Sequence, residues 1–289
     1  MAAAEAAGDG STAGDTDPFA LSDVERRWCI DLRAALAAQG VPEPQPKSDF
    51  LLAQFALIGK GQTAKAVKRV QKFNEVVTGE YNYPGFEEAL KLPAYGFSLR
   101  KFPGMMQVVP RQTAARAMTM VFDAAPFLPA ELMKNEDGFN LLMTDFLVAL
   151  DALTADLSDI RTGTIMVTQC GGMGMKNYSH KAESKAANVY QDSYPVRYHS
   201  LPCVNVNIIF KVIIKLAKLF LSKKLQERIV VCTNAELYEK YGYDKATMPS
   251  SVGGDVPVGQ SYDEDFKAYD DMIRERLQRR RESIAKVRI

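Results

Sequence analysis

Between residues 106 and 233, short runs rich in β-branched and aromatic residues alternate with longer stretches of helical period. Met106–Val109, Ala117–Phe122, Thr164–Gln169, Leu201–Val206 and Arg228–Thr233 have strand length and composition. Pro129–Ser158, Asn177–Gln191, Asn207–Leu216 and Leu221–Gln226 lie among the later runs and read as helices. Strands separated by helices cannot pair through tight hairpins. Their connections must cross over the sheet, which predicts an α/β fold.

The region before this alternation is helical. Ser22 and Asp23 offer a cap to a helix carrying Val24, Trp28, Ile30, Leu32 and Leu36, which Gly40 and Pro42 stop. Ser48 and Asp49 open a second helix, ended at Gly59-Lys60-Gly61. A third runs from Thr63 to Val77, with Ala66, Val67, Val70, Phe73 and Val77 on one face. These predict a small bundle, joined onward by the aromatic, proline-bearing stretch Tyr81–Pro103. Residues 1–17, rich in Ala, Gly, Asp and Thr, read as a disordered tail, and Asp263–Ala285 as a last amphipathic helix. With 47% hydrophobic and 25% charged residues, the chain can bury a sizeable core. Its 36 Lys plus Arg against 35 Asp plus Glu rule out an argument for nucleic acid from net charge, so any electrostatic site must be local.

Most chemistry lacks its parts. Cys29, Cys170, Cys203 and Cys232 form no C-x-x-C pair, and with only His180 and His199 no zinc spacing is visible. Gly171-Gly172-Met173-Gly174 begins a dinucleotide fingerprint but has Asn177 at its third glycine position. Gly59-Lys60-Gly61-Gln62-Thr63 lacks the order of a phosphate loop. Cys170 with His180 or His199 is the one imaginable nucleophile pair, and Cys170 reads better as a small apolar group at a strand end. The expectation is a protein that is not an enzyme and uses no cofactor or metal. There is no leader-like N-terminus and no run of about 18 apolar residues, so a reduced, cytoplasmic location is expected.

One helix stands apart. Asn207–Leu221 is apolar except for Lys211, Lys215 and Lys218, which share one narrow stripe at about 100° per residue. A core helix whose lysines reach solvent is one reading. The other is a helix with apolar contacts on two sides, one toward a cavity and one toward a bilayer. Lys223, Lys224 and Arg228 extend the basic density, and near anionic lipid each is worth about 1 kcal/mol. The C-terminal helix is basic as well, through Arg274, Arg276, Arg279, Arg280, Arg281, Lys286 and Arg288. A solvated face with Glu275 and Glu282 as partners is its default reading, and a membrane or protein contact the other.

Tyr190-Gln191-Asp192-Ser193-Tyr194-Pro195-Val196-Arg197 resembles a segment of the CRAL-TRIO family. Val204-Asn205, the run from Lys218 to Leu225, Arg228-Ile229 and Met248-Pro249-Ser250-Ser251-Val252-Gly253-Gly254 continue the resemblance in order, over residues 20–260. The nearest branch is that of tocopherol-transfer and retinaldehyde-binding proteins. The resemblance implies an N-terminal helical subdomain (18–80), a CRAL-TRIO lipid-binding domain (81–260) with a mixed five-stranded sheet and flanking helices, and a basic C-terminal helix (261–289). It implies a pocket closed by a mobile gate helix, here Asn207–Leu221. The wall would be Met143, Phe146, Leu150, Thr164, Thr168, Val189, Tyr190, Tyr194, Leu201, Phe210 and Ile214.

In that branch a basic cleft beside the gate takes phosphoinositide headgroups, and the matching positions are Arg197, His199, Lys224 and Arg228. Lys211, Lys215 and Lys218 would add to the membrane-facing set. The expected partners are one hydrophobic ligand of the tocopherol, retinoid, carotenoid or phospholipid class, and an anionic membrane surface bound peripherally and reversibly. Three family elements are altered, at Phe55-Ala56-Leu57-Ile58-Gly59, Thr168-Gln169-Cys170-Gly171-Gly172 and Val204-Asn205-Val206-Asn207. The first loses its arginines, so headgroup recognition should differ. A non-catalytic interaction or regulatory module that keeps this fold without carrying lipid is the alternative.

Overall fold

The computed structural model describes residues 17–109, 117–134, 136–217, 219, 221–259 and 261–289, except the side chains of Glu136, Ala217 and Tyr262. The expected tail, up to position 16, and Lys218 lie outside the described residues.

Helix α1 (Asp23–Ala38) starts at a capping box in which Ser22 and Glu25 bond each other's backbone. Helices α2 (Asp49–Gly59) and α3 (Thr63–Phe73) follow, with Ser48 capping α2 and Lys60 ending it in the left-handed region. Leu32, Leu36, Phe50, Leu52, Phe55, Val67, Val70 and Phe73 meet in the bundle core. A π-helical stretch, Asn74–Glu80, continues the third helix. The connector then holds two short helices, α4 (Phe86–Ala89) and α5 (Phe97–Lys101).

Five strands form one sheet in the order β1 (Met106–Val109), β2 (Met118–Asp123), β3 (Thr164–Gln169), β4 (Tyr198–Val204) and β5 (Ile229–Cys232). The first pair is antiparallel and the rest are parallel. This is the mixed sheet that was expected, with shifted ends. β4 starts at Tyr198 rather than Leu201 because Tyr198 pairs with Thr164 across a bulge. It ends at Val204 rather than Val206 because Asn205 takes φ 55° and leaves the ladder.

The helix expected over Pro129–Ser158 is three: α6 (Pro129–Leu132), α7 (Glu136–Leu153) and α8 (Leu157–Thr162). Asp156 is the reason for the second break, since it caps α8 in a box with Asp159. α9 (His180–Asn188) is capped by Ser179 and runs into a π-helical turn, Val189–Ser193. α10 (Ile208–Ala217) and α11 (Lys223–Gln226) follow β4. α12 (Asn234–Tyr241), absent from the sequence reading, begins at a Thr233–Glu236 capping box, and α13 (Tyr262–Lys286) closes the chain.

One sheet face is sealed. Val121, Ile165, Val167, Val204 and Cys232 pack under Leu237, Tyr241, Tyr243, Met248 and Val252. Gly254 permits this closure, because a Cβ there would stand 2.0 Å from the Met248 carbonyl oxygen. Gly254→Ala is therefore expected to cost about 1–3 kcal/mol through overpacking. A melting midpoint equal to that of the parent would show that the loop yields freely.

The basic C-terminal helix is not a free solvated face. Arg276 pairs with Asp159, Arg279 with Asp156 and Arg281 with Glu87. Arg280 is 4% exposed, its Nη2 lies 2.6 Å from Asp151 Oδ1, and its guanidinium stacks 5.1 Å from the Phe50 ring centre. Asp151 also accepts hydrogen bonds from Tyr83, at 2.6 Å, and from Tyr194. Gln54 and Arg280 both donate to the Thr154 carbonyl, each at 2.8 Å. One buried polar knot thus ties α2, the connector, α7, the Tyr194 segment and α13 together. The sequence reading placed these arginines in solvent because their partners lie far away along the chain.

Candidate functional site

The second sheet face is built from Met118, Met120, Phe122, Met166, Tyr198, Leu201 and Ile229, packed toward α7 and α9, with Cys203 under α10. It is not sealed. Phe122, Met166, Thr168 and Ile229 keep partial accessible surface, while Ile165 and Val167 on the opposite face keep almost none. Met166 lies mid-sheet, Phe122 and Thr168 near strand ends and Ile229 on the edge strand, so the helices leave part of this face accessible. Phe146 on α7, Glu183 and Ala186 on α9, Tyr190 and Ile214 also keep surface around it.

The expected wall residues divide accordingly. Phe146, Thr168, Tyr190 and Ile214 have open surface, whereas Met143, Leu150, Val189, Leu201 and Phe210 are buried. Thr164 is buried, and its Oγ1 finds no hydrogen-bond partner among the described residues. Tyr194 gives its hydroxyl to Asp151 and its ring to Phe73, 6.2 Å away between centres, which sets it against the helical bundle. Sequence reasoning missed Phe122, Met166, Tyr198, Ile229 and Glu183. The strand period could have found Met166, which lies between Thr164 and Thr168 on the same face.

α10 covers one end of this sheet face. Phe210 and Ile213 are buried against Cys170, Met173 and Cys203, and Ile214 packs beside them. Its outer side is also apolar: Ile208 is 80% exposed, Val212 51% and, just beyond the helix, Leu219 77%. Lys211 and Lys215 are exposed alongside. The helix start is held by asparagines. Asn207 caps it through Phe210 N at 2.8 Å and donates to the Met173 carbonyl at 2.9 Å, just after the left-handed Asn205. At the far end Ser222 N donates to Gln191 Oε1 at 2.6 Å.

A cluster of cations lies where α3, β4 and α11 approach one another. Burial, then Arg228, Lys65, Lys60 and Arg197, pull the Lys224 pKa down. Burial, then Arg197, does the same to Arg228. His199, the outward residue at the bulge, has its pKa lowered by burial and by Arg197, Arg228 and Lys240. None of Lys60, Lys65, Arg197, Lys224 and Arg228 pairs with a carboxylate among the described residues. Arg197 donates to the Arg161 carbonyl at 2.9 Å and Arg228 to that of Tyr198. Lys60 and Lys65 come from the helical bundle, and the sequence reading missed them because Lys60 was absorbed into a helix stop. Such a cluster repels itself, and an anion near it would relieve that repulsion.

Cys170 is buried, and its Sγ donates to the Thr168 carbonyl at 3.3 Å. A hydrogen bond with Cys203, and then burial, push its pKa up, the setting of an unreactive thiol. No helix among the described residues is long and apolar enough to cross a membrane.

The family model for the CRAL/TRIO domain matches residues 110–254, half of the chain. The chain belongs to the CRAL-TRIO family. The crystal structure of Sfh5 aligns with this CRAL-TRIO chain at a TM-score of 0.59 and 15% identity, over 84% of this chain and 91% of that one. At that identity the likeness concerns the fold. No curated protein sequence matches the chain. Family membership supports lipid binding as the general activity, and one face of the CRAL-TRIO sheet is sealed while the other keeps partial accessible surface.

Proposed function

We propose that this protein holds one apolar, lipid-like molecule in the hollow between the sheet and α7, α9 and α10, and exchanges it with an anionic membrane. The observation that carries the reading is the two-sided α10. Phe210 and Ile213 face inward while Ile208 and Val212 stand in solvent. A helix gains nothing in water from an exposed apolar flank, but at a bilayer that flank is its contact surface. Swinging α10 outward on Asn205 and Asn207 would open the hollow at the place where the membrane meets it.

The cation cluster supports docking. Arg197, Lys224 and Arg228 act with Lys60 and Lys65 on headgroup phosphates, His199 lies at their edge, and Lys211 and Lys215 extend the field along the gate. Charges near anionic lipid contribute about 1 kcal/mol each. Lys224→Ala with Arg228→Ala is expected to weaken binding to phosphoinositide-containing vesicles by about tenfold or more. Raised salt should weaken the parent too. Equal sedimentation of parent and variant with vesicles, at low and high salt, would remove the cluster from the docking surface. Solvent extraction of the purified protein followed by mass spectrometry tests the cargo itself. Preparations that stay empty after incubation with candidate lipids would favour an interaction module of the same fold.

A further inference from the structure

The two edges of the sheet differ. β1 is buried along its whole length, whereas β5 keeps surface at Ile229, Val230 and Val231, the last 57% exposed. β4 pairs with one side of β5, and no strand pairs with the other among the described residues. Leu201 lies opposite Ile229 and donates its N–H to the Arg228 carbonyl, so Arg228, Val230 and Cys232 turn their backbone groups toward β4. The N–H and C=O of Ile229 and Val231 therefore point outward, and none of them finds a partner among the described residues.

An exposed edge is a template for another strand, and soluble proteins usually blunt it with lysine, proline or a bulge. Ile229-Val230-Val231-Cys232 carries none of these. Its flanks carry opposite charge. Lys223 and Lys224 are exposed on α11, before the strand, and Glu236 and Glu239 on α12, after it. Hydrogen bonds from Thr233 hold the Glu236 carboxyl below its usual range, so it stays ionised. A strand with cations before it and acids after it complements its own antiparallel copy, because a two-fold axis sets the start of one beside the end of the other. A parallel copy would set like charges together.

We propose that β5 pairs antiparallel with β5 of a second copy of this chain, about a two-fold axis at Val230, joining the two sheets into one. In that register Ile229 exchanges N–H···O=C bonds in both directions with Val231 of the second copy, and the two side chains become cross-strand neighbours. A slip by one residue would set outward groups opposite inward ones. A slip by two would bring in Thr233 or Glu227, whose N–H groups already donate to Glu236 and to the Lys223 carbonyl. Lys223 and Lys224 approach Glu236 of the second copy. Closure about the axis consumes both β5 edges, so assembly stops at the dimer. A four-residue strand makes a small interface, and the dimer is weak and concentration-dependent.

Sedimentation velocity of the full chain over about 1 to 300 μM tests the pairing. The expected result is a dimer whose share rises with protein concentration and falls with salt, with nothing larger. Val231→Pro removes one outward N–H and no bond to β4, a change that an edge strand tolerates. It is expected to weaken the dimer by about tenfold or more. Val231→Lys, at an exposed side chain, should do the same and answers the question if the proline variant misfolds. Val230→Cys, on the axis, is expected to cross-link to its own copy under diamide, with Val24→Cys at a 60% exposed position on α1 as the control. A monomer throughout the range, a dimer unchanged in the Val231 variants, or cross-linking no faster at Val230 than at Val24 would overturn the pairing. Open-ended growth would overturn the closure. The carrier reading stands or falls separately, on lipid extraction.

Discussion

Arg280→Ala is expected to remove a large share of the stability of this protein. The guanidinium is buried, paired with Asp151 at 2.6 Å and bonded to the Thr154 carbonyl at 2.8 Å. Removing it leaves the Asp151 carboxylate buried without its cation, and breaking one partner of such a pair costs about 3–5 kcal/mol. Against a total of roughly 5–15 kcal/mol, that is a large share. Urea unfolding should show a lower midpoint with an unchanged slope. Asp151→Asn should cost a comparable amount, because it leaves the buried guanidinium without its carboxylate even though an amide oxygen can still accept from Tyr83 or Tyr194. A loss below about 1 kcal/mol for Arg280→Ala would mean that water reaches the knot and screens it. Since the knot spans the bundle, α7 and α13, it also sets how rigidly the bundle's Lys60 and Lys65 face Lys224.

Ile208→Gln with Val212→Gln is expected to slow ligand delivery to anionic vesicles by about a hundredfold. Both side chains are exposed on the outer flank of α10, at 80% and 51%. Each loses about 1.5 kcal/mol of burial at the membrane, and about 3 kcal/mol together is two decades in affinity. Glutamine forms helix well and adds no charge, so α10 and its lysines are kept. Ile30→Gln, an equally conservative change at a 45% exposed position on α1, is the control and should leave transfer unchanged. If the double variant transfers as fast as the control, α10 is an ordinary cover and the bilayer is met elsewhere.

The first result tests the scaffold and the second the proposed gate. The knot holds elements distant in sequence in a fixed arrangement. α10, by contrast, buries little on its outer side and is tethered by side-chain bonds at Asn207 and Ser222. Segments with few buried contacts open most easily. A gate is drawn from that end of the stability range.

Much of the architecture was legible in the chain. β1 and β3 fall on the expected residues, because each is a short run of strand length centred on β-branched and aliphatic residues. The helical bundle, the crossover order and the amphipathic α10 were equally readable, since local spacing and caps decide them. The family resemblance supplied the sheet's mixed character. What local pattern could not supply was partnership. Arg280 and Arg274 look alike in sequence, yet one is buried against Asp151 and the other pairs with Asp270 on the helix surface. Lys60 reads as a helix stop until α3 is laid beside α11. Tyr194 lies in a motif that suggested a pocket wall, and its hydroxyl is taken by Asp151. Periodicity is a property of neighbours along the chain, whereas charge pairing, burial and unsatisfied hydrogen bonds are properties of neighbours in space. Only the tertiary structure decides the second kind.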